Sequence, residues 1–244
     1  MKPTISVITT AYNAQKHLQE CINSVSYSEL WPFDTTFEHI VFDDGSTDKT
    51  QEICERNKAH ISYIRSDVNT GPSNGRNVAI QRAKGTYIYV LDADDIILKR
   101  SLHNYYKNLN NSSFSWAYSD FIEVDDHLSY QFNRDYFGSP VTNAQTMLNS
   151  VFNGEHYFTH NVMFTKELFD SVGGYDATLR LGEDMDLFIR FLISNKPPLY
   201  LPFVSHLYRR HLQNLTVEYK TAEHLNHIDF LKEKYNWSPL PNTQ

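Results

Sequence analysis

The sequence predicts an α/β fold with a Rossmann-like, mainly parallel sheet flanked by helices. Two observations carry this expectation. Before residue 98, short apolar runs alternate four times with helical periods, the pattern of a doubly wound sheet. The fourth run then breaks directly into Asp92, Asp94 and Asp95, carboxylates at the carboxyl end of a strand, where open α/β sheets bind their ligands.

The elements follow in chain order. Residues 4–10 (TISVITT) read as a first strand, and residues 14–25 carry a helical period through Leu18, Cys21, Ile22 and Val25. Residues 37–42 form a second strand ending in Asp43-Asp44-Gly45-Ser46, with Thr47 as cap of a helix reaching about residue 58. Asp44 is expected to face the turn at 45–47 and cap that helix start. Residues 61–65 make a third strand, Asn69-Thr70-Gly71-Pro72 a turn, and residues 73–83 a helix that Gly85 ends. The fourth strand, 87–91, lies within TYIYVLDADDII. Beyond residue 98 the pattern loosens to a helix at 101–108 and a strand at 113–124. Residues 125–160 show no clean period; a helix at 183–194, a short strand at 199–204 and a helix at 222–235 follow. Asp186 and Arg190 read as an ordinary surface pair four residues apart on a helix. One domain over 1–216, in two halves (1–98 and 99–216), precedes a helical tail over 217–244.

Composition narrows the function classes. The chain has 244 residues, 41% of them hydrophobic and 21% charged, which is a globular balance. A net charge of −7 gives nucleic-acid binding no electrostatic support. The two cysteines, Cys21 and Cys54, sit in predicted helices and point to neither a disulfide framework nor a zinc site. No apolar run reaches the roughly 18 residues of a membrane span, and a strand starting at residue 4 leaves no room for a leader. The expectation is a cytoplasmic protein, at most peripheral at the inner face of the membrane.

Asp92-Ala93-Asp94 suits a hard divalent cation, because carboxylate oxygens supply part of its shell and leave positions for a substrate's phosphates. Asp43, at another strand end, can accept a hydrogen bond from an imide N–H. Arg76, near a helix start, favours an anion or a polar base edge. The segment FDDGST also has a superficial likeness to the Asp-x-Asp of aspartyl phosphatases, but its aspartates are adjacent and lie on the second strand.

SVITTAYN, FDDGSTDKT, NTGPSNGRNVAI, GTYIYVLDADD, GGYDATLRLGEDMDLFIR and YRRHLQNLT, in that order and spacing, resemble the family 2 glycosyltransferases, from about residue 6 to 216. The resemblance implies the GT-A nucleotide-diphospho-sugar transferase fold, with residues 1–98 as its nucleotide-binding half and 99–216 as its acceptor-binding half. It further implies an inverting transferase that moves a hexosyl or N-acetylhexosaminyl group from a nucleotide sugar to a glycan or lipid-linked acceptor, in surface-polysaccharide or glycoconjugate synthesis. By the same resemblance Thr10, Ala11, Tyr12, Asp43, Arg76 and Asp92 serve the nucleotide, with Asp43 and Tyr12 favouring UDP over TDP or GDP. The family more often has Pro-Thr where this chain has Thr10-Ala11. Asp94 and His211 would hold Mn²⁺ or Mg²⁺, with His206 a competitor for His211 and Asp95 orienting Asp94. Asp184 would be the general base and Glu183 its acceptor-side rival. Acceptor selectivity would reside in residues 113–180. The other classes are a non-catalytic nucleotide-sugar-binding protein of the same fold and a nucleotidyltransferase. The second lacks support, because the loop after the first strand has none of the expected glycines.

Overall fold

A computed structural model describes residues 3–30, 35–131, 135–141, 143–155, 161–212, 214 and 222–237. The elements of the first half are β1 (Ile5–Ala11), α1 (Leu18–Ser26), β2 (Phe37–Asp44), α2 (Thr50–Arg56), β3 (Ser62–Ser66), α3 (Pro72–Arg82) and β4 (Tyr87–Val90). Then come β5 (Ile96–Ile97), α4 (Ser101–Asn110), β6 (Trp116–Val124), α5 (Ala144–Phe152), β7 (Met163–Thr165) and α6 (Lys166–Ser171). The last are α7 (Glu183–Ile193), β8 (Leu199–Arg209) and α8 (Ala222–Lys234).

A single eight-stranded sheet runs β3-β2-β1-β4-β7-β6-β8-β5. Strands β1 to β4 pair in parallel, as the alternation of runs and helices predicts. β7 lies antiparallel between β4 and β6, and β5 pairs antiparallel with β8, so the second half of the sheet is mixed. Both faces are covered. Ile8, Ile40 and Val90 pack with Ile80 of α3, Met147 of α5, Phe169 of α6, Phe188 of α7 and Leu231 of α8. On the other face Val7, Tyr89 and Val41 meet Val25 of α1, Leu102 of α4 and Ile53 of α2. Buried on both sides, β1 shows no alternation of buried and exposed positions, and even Ser6 and Thr9 are fully buried.

Several expectations need correcting. β2 continues through Asp43 and Asp44, and neighbouring strand residues point to opposite faces. Asp44 accordingly turns away from the 45–47 turn and accepts the amides of Thr70 (2.8 Å) and Gly71 (2.7 Å) ahead of α3. Asp43 takes the turn instead, receiving the Ser46 amide at 2.9 Å. Thr47 does not cap α2; it donates to Asn13 Oδ1, while Asp48 accepts the Thr50 amide at 2.9 Å. Residues 125–160 contain α5, whose Ala144, Met147, Leu148 and Val151 form a buried stripe and whose Asn143 caps the Thr146 amide. β5, β7 and α6 are too short for a period to reveal. β8 extends beyond residue 204 to Arg209. Asp186 is no surface residue: it is fully buried. No described helix is long and apolar enough to cross a membrane.

Candidate active site

The carboxyl ends of β1, β2 and β4 lie side by side, with Ala11 in register with Asp43, so three loops open on one edge of the sheet. After β1, Asn13 adopts φ +50°, a left-handed conformation that Asn tolerates, and its side chain binds the Thr47 amide at 2.9 Å. That bond ties the first loop to the second. Ala11 is buried, and Tyr12 stands 51% exposed at the rim with its ring available to a flat ligand. Thr10 sits beneath, its methyl against Gly75 of α3; a Cβ there would approach Thr10 Cγ2 to 3.0 Å and Phe42 Cδ1 to 2.9 Å.

Asp43 is shielded from solvent and carries three partners. Besides the Ser46 amide, Tyr63 Oη donates to it at 3.0 Å and Arg65 forms an ion pair with it. Burial, helped by the neighbouring Asp43 carboxylate and opposed by Arg65, leaves the Tyr63 hydroxyl pushed up to about 12. Tyr63 and Arg65 belong to this corner although nothing in the sequence pattern singled them out.

The loop after β4 divides its carboxylates. Asp92 Oδ1 accepts Arg76 Nη2 at 3.0 Å. Asp94 Oδ2 lies 2.9 Å from His211 Nε2 and 3.2 Å from Asn214 Nδ2. Asp95, buried, receives the Arg209 amide and Asn161 Nδ2, each at 2.9 Å, and so binds β8 to the loop that carries Asp94. His206 lies elsewhere, stacked on Phe121 at 5.3 Å with its Nδ1 2.8 Å from Ser205 Oγ. Of the two histidines, His211 is the one at Asp94.

Arg209 locks this arrangement. It is almost fully buried; its Nε holds the Asp94 carbonyl at 2.8 Å, Nη1 the Asp126 carbonyl at 2.8 Å, and Nη2 the Glu20 carboxylate at 2.6 Å. The His17 ring lies tilted against His211 at 5.1 Å and approaches Asp126 Oδ1 to 2.9 Å. Burial, reinforced by Arg209 and His211, holds the His17 imidazole below its ordinary value. Arg209 and Asn214 lie within the YRRHLQN segment, so the signal was present without their roles; Gln213, Leu215 and Thr216 lie outside the described residues.

The spacing of Asp94 and His211 suits a cation. Two donors about 2.1 Å from an ion at adjacent octahedral positions stand about 3.0 Å apart, close to the observed 2.9 Å. One carboxylate and one imidazole would form an edge of such a shell, and the Asp94 side chain is 26% exposed.

On the opposite side α7 begins at Gly182, whose φ of +69° is a left-handed conformation suited to glycine. Glu183 turns inward and pairs with Arg76 Nη1 at 2.5 Å. Asp184 is half-buried, and its Oδ1 accepts the Met185 amide at 2.7 Å. Arg76 thus joins the β4 loop to the start of α7, and the Tyr175 ring lies 5.5 Å from its guanidinium. Burial alone would lower Arg76, but Asp92, Glu183, Tyr175 and Asp184 outweigh it and hold the guanidinium above its ordinary value. Asn77 bonds both ways with the Tyr175 backbone, at 2.8 and 2.9 Å, and fixes that ring's segment.

Comparison with known proteins gives this geometry a context. The family described as Glycosyl transferase family 2 matches residues 6–173. An uncharacterised glycosyltransferase, MJ1057 of Methanocaldococcus jannaschii, is 30% identical over 203 residues, covering 80% of this chain and 66% of that protein. Poly(ribitol-phosphate) beta-N-acetylglucosaminyltransferase TarS of Staphylococcus aureus is 40% identical over 100 residues, 40% of this chain and 17% of TarS. The chain thus spans less than two thirds of either relative. Among solved structures, S. aureus TarS 1-349 in complex with UDP-GlcNAc superposes with a TM-score of 0.73 at 19% identity, over 97% of this chain and 68% of that one. The mannosyltransferase PcManGT of Pyrobaculum calidifontis, in complex with GDP-Man and Mn²⁺, gives 0.69 at 18%, over 99% and 66%. At these identities the likeness establishes the fold.

Proposed function

The chain belongs to glycosyl transferase family 2, and on that premise we propose an inverting transferase that moves a sugar from a UDP-sugar to a hydroxyl of a glycan or lipid-linked acceptor. The reaction serves surface-polysaccharide or glycoconjugate assembly. The observation that carries the reading is the two-sided site. Asp94 and His211 stand on one side, Glu183 and Asp184 on the other, and Arg76 binds Asp92 and Glu183 across the gap.

Tyr12 offers a face to the base, and Asp43, buried at the end of β2 with Tyr63, Arg65 and the Ser46 amide on its carboxylate, would read the base edge. Asp94 and His211 would hold Mn²⁺ or Mg²⁺. When bound, the cation supplies positive charge that stabilises the departing nucleoside diphosphate. Asp184, at the start of α7, takes the proton of the acceptor hydroxyl as its oxygen forms a bond to the anomeric carbon. The bond to the diphosphate oxygen breaks on the opposite face, which inverts the configuration. Glu183, spent on Arg76, positions its neighbour. Acceptor selectivity belongs to residues 113–180.

A donor-hydrolysis screen of UDP-, TDP- and GDP-sugars, with and without Mn²⁺, tests the reading. We expect Mn²⁺-dependent turnover of a UDP-sugar, abolished in Asp94→Ala together with Mn²⁺-dependent UDP binding. Preference for GDP-sugars would move the donor assignment. Tight binding with neither hydrolysis nor transfer would favour the non-catalytic nucleotide-sugar-binding protein.

A further inference from the structure

We propose that α8 is a positioning element for the catalytic turn: it grips the first turn of α7 at both ends, and so sets where Asp184 stands. This rests on the assignment of Asp184 as base. At the upper end, a Cβ built on Gly182 would lie 1.8 Å from His227 Nε2 and 2.2 Å from its Cδ2. The space a side chain at 182 would occupy is filled by a ring from α8. At the lower end, Asp186 is fully buried and accepts Lys234 Nζ and Tyr235 Oη, each at 2.6 Å, besides Arg190 Nε at 2.9 Å. Lys234 also reaches Asp176 at 2.7 Å, in the segment leading into α7. Glu183 and Asp184 lie between the two contacts.

The grip is firm. A buried carboxylate that loses a cationic partner is strongly destabilised, so Asp186 has reason to hold Lys234. Leu231, only 1% exposed, inserts into the core beside Phe188, and Trp237 packs on Phe152 at 5.1 Å. The Asp186 amide makes the first backbone bond of α7, to the Gly182 carbonyl at 3.0 Å. Both of its residues are therefore contacted by α8. The polar contacts of Lys234 and Tyr235 and the approach of His227 to Gly182 touch none of β1, β2 or β4, so nucleotide and cation binding should be indifferent to them.

The test uses the full chain carrying Lys234→Ala, Lys234→Arg or His227→Ala, together with Gly182→Ala alone and combined with His227→Ala. In Lys234→Ala we expect unchanged UDP affinity in Mn²⁺ and unchanged donor hydrolysis. Transfer to acceptor should fall by about 10²-fold, the scale of a misplaced catalytic group, in kcat rather than in donor KM. Lys234→Arg should restore it. The Asp186 amide should exchange at least about tenfold faster with solvent, as local opening predicts, while the amides of β1 and β4 stay protected. Gly182→Ala should be less harmful beside His227→Ala than alone. Should Lys234→Ala fail to fold, His227→Ala carries the same readouts. Wild-type transfer rates, donor affinity falling in step with transfer, or unchanged Asp186 exchange would each overturn the proposal. If the wild-type chain transfers no sugar at all, the base assignment fails, and amide exchange alone decides whether α8 holds the turn.

Discussion

Arg76 uses one nitrogen for Asp92 and another for Glu183, and this separates two acidic neighbours that look alike in sequence. Glu183→Gln takes an anion from a buried guanidinium that retains Asp92. We expect it to lower stability by about 1–3 kcal/mol, visible in thermal melts, with transfer reduced through misplacement. Asp184→Asn should melt like the wild type and keep nucleotide affinity, while transfer falls by roughly 10²–10⁴-fold in steady-state assays. Equal transfer rates in Asp184→Asn and wild type would contradict the assignment. Asp43 calls for a different expectation. With Tyr63, Arg65 and the Ser46 amide on one carboxylate, Asp43→Ala should both weaken UDP binding and lower the melting temperature, leaving Mn²⁺ dependence intact. Calorimetry and melting on the same variant check it. The strand-end and helix-start settings of these residues could be read from the sequence. Their partners could not: Asp43 and Asp44 are adjacent, and only the continuation of β2 decides which one faces the turn and which faces α3.

Helix α3 packs its first turn so close to β1 and β2 that Gly75 leaves no room for a methyl group. Gly75→Ala should cost about 1–3 kcal/mol by overpacking, measured by urea unfolding. It should also weaken UDP binding, because one of the two side chains it displaces is Thr10, at the end of β1 just before the first loop. Strands and helices of the first half were legible because each is long enough for its period to show, as in the Leu18, Cys21, Ile22 and Val25 stripe of α1. α5 shows the same spacing within a stretch rich in aromatic and Asn residues, where it went unread. β5 and β7 have two and three residues and exist only through their neighbours, so no local pattern could announce them. The Asp186–Arg190 pair was read correctly as a pair and wrongly as exposed, since the helix that buries it arrives some forty residues later.

Over the whole molecule, one buried imidazole shapes the acid limit of stability. Burial holds His39 down to about 3, against 6.5 when unfolded, and its Nε2 lies 2.9 Å from Thr9 Oγ1. Below about 6.5 the unfolded chain binds a proton that the folded chain refuses, so stability falls as pH drops from about 6.5 to about 3. The slope is on the order of 1 kcal/mol per pH unit. His39→Gln should flatten that limb in urea midpoints taken across this range; an unchanged slope would discount the residue. The sheet order has a consequence of another kind, in the timing of synthesis. Strands β1 to β4 can pair once residue 90 has emerged, but β4 then awaits β7, and β6 awaits β8. The Asp94 carbonyl is held by a residue 115 positions later, Asp95 by one 114 later, and the Asp94 carboxylate meets a histidine 117 later. Contacts so distant along the chain form late. A growing chain therefore has the loops after β1 and β2 in place well before Asp94 meets His211, and a truncated or half-folded product would lack the Asp94–His211 contact.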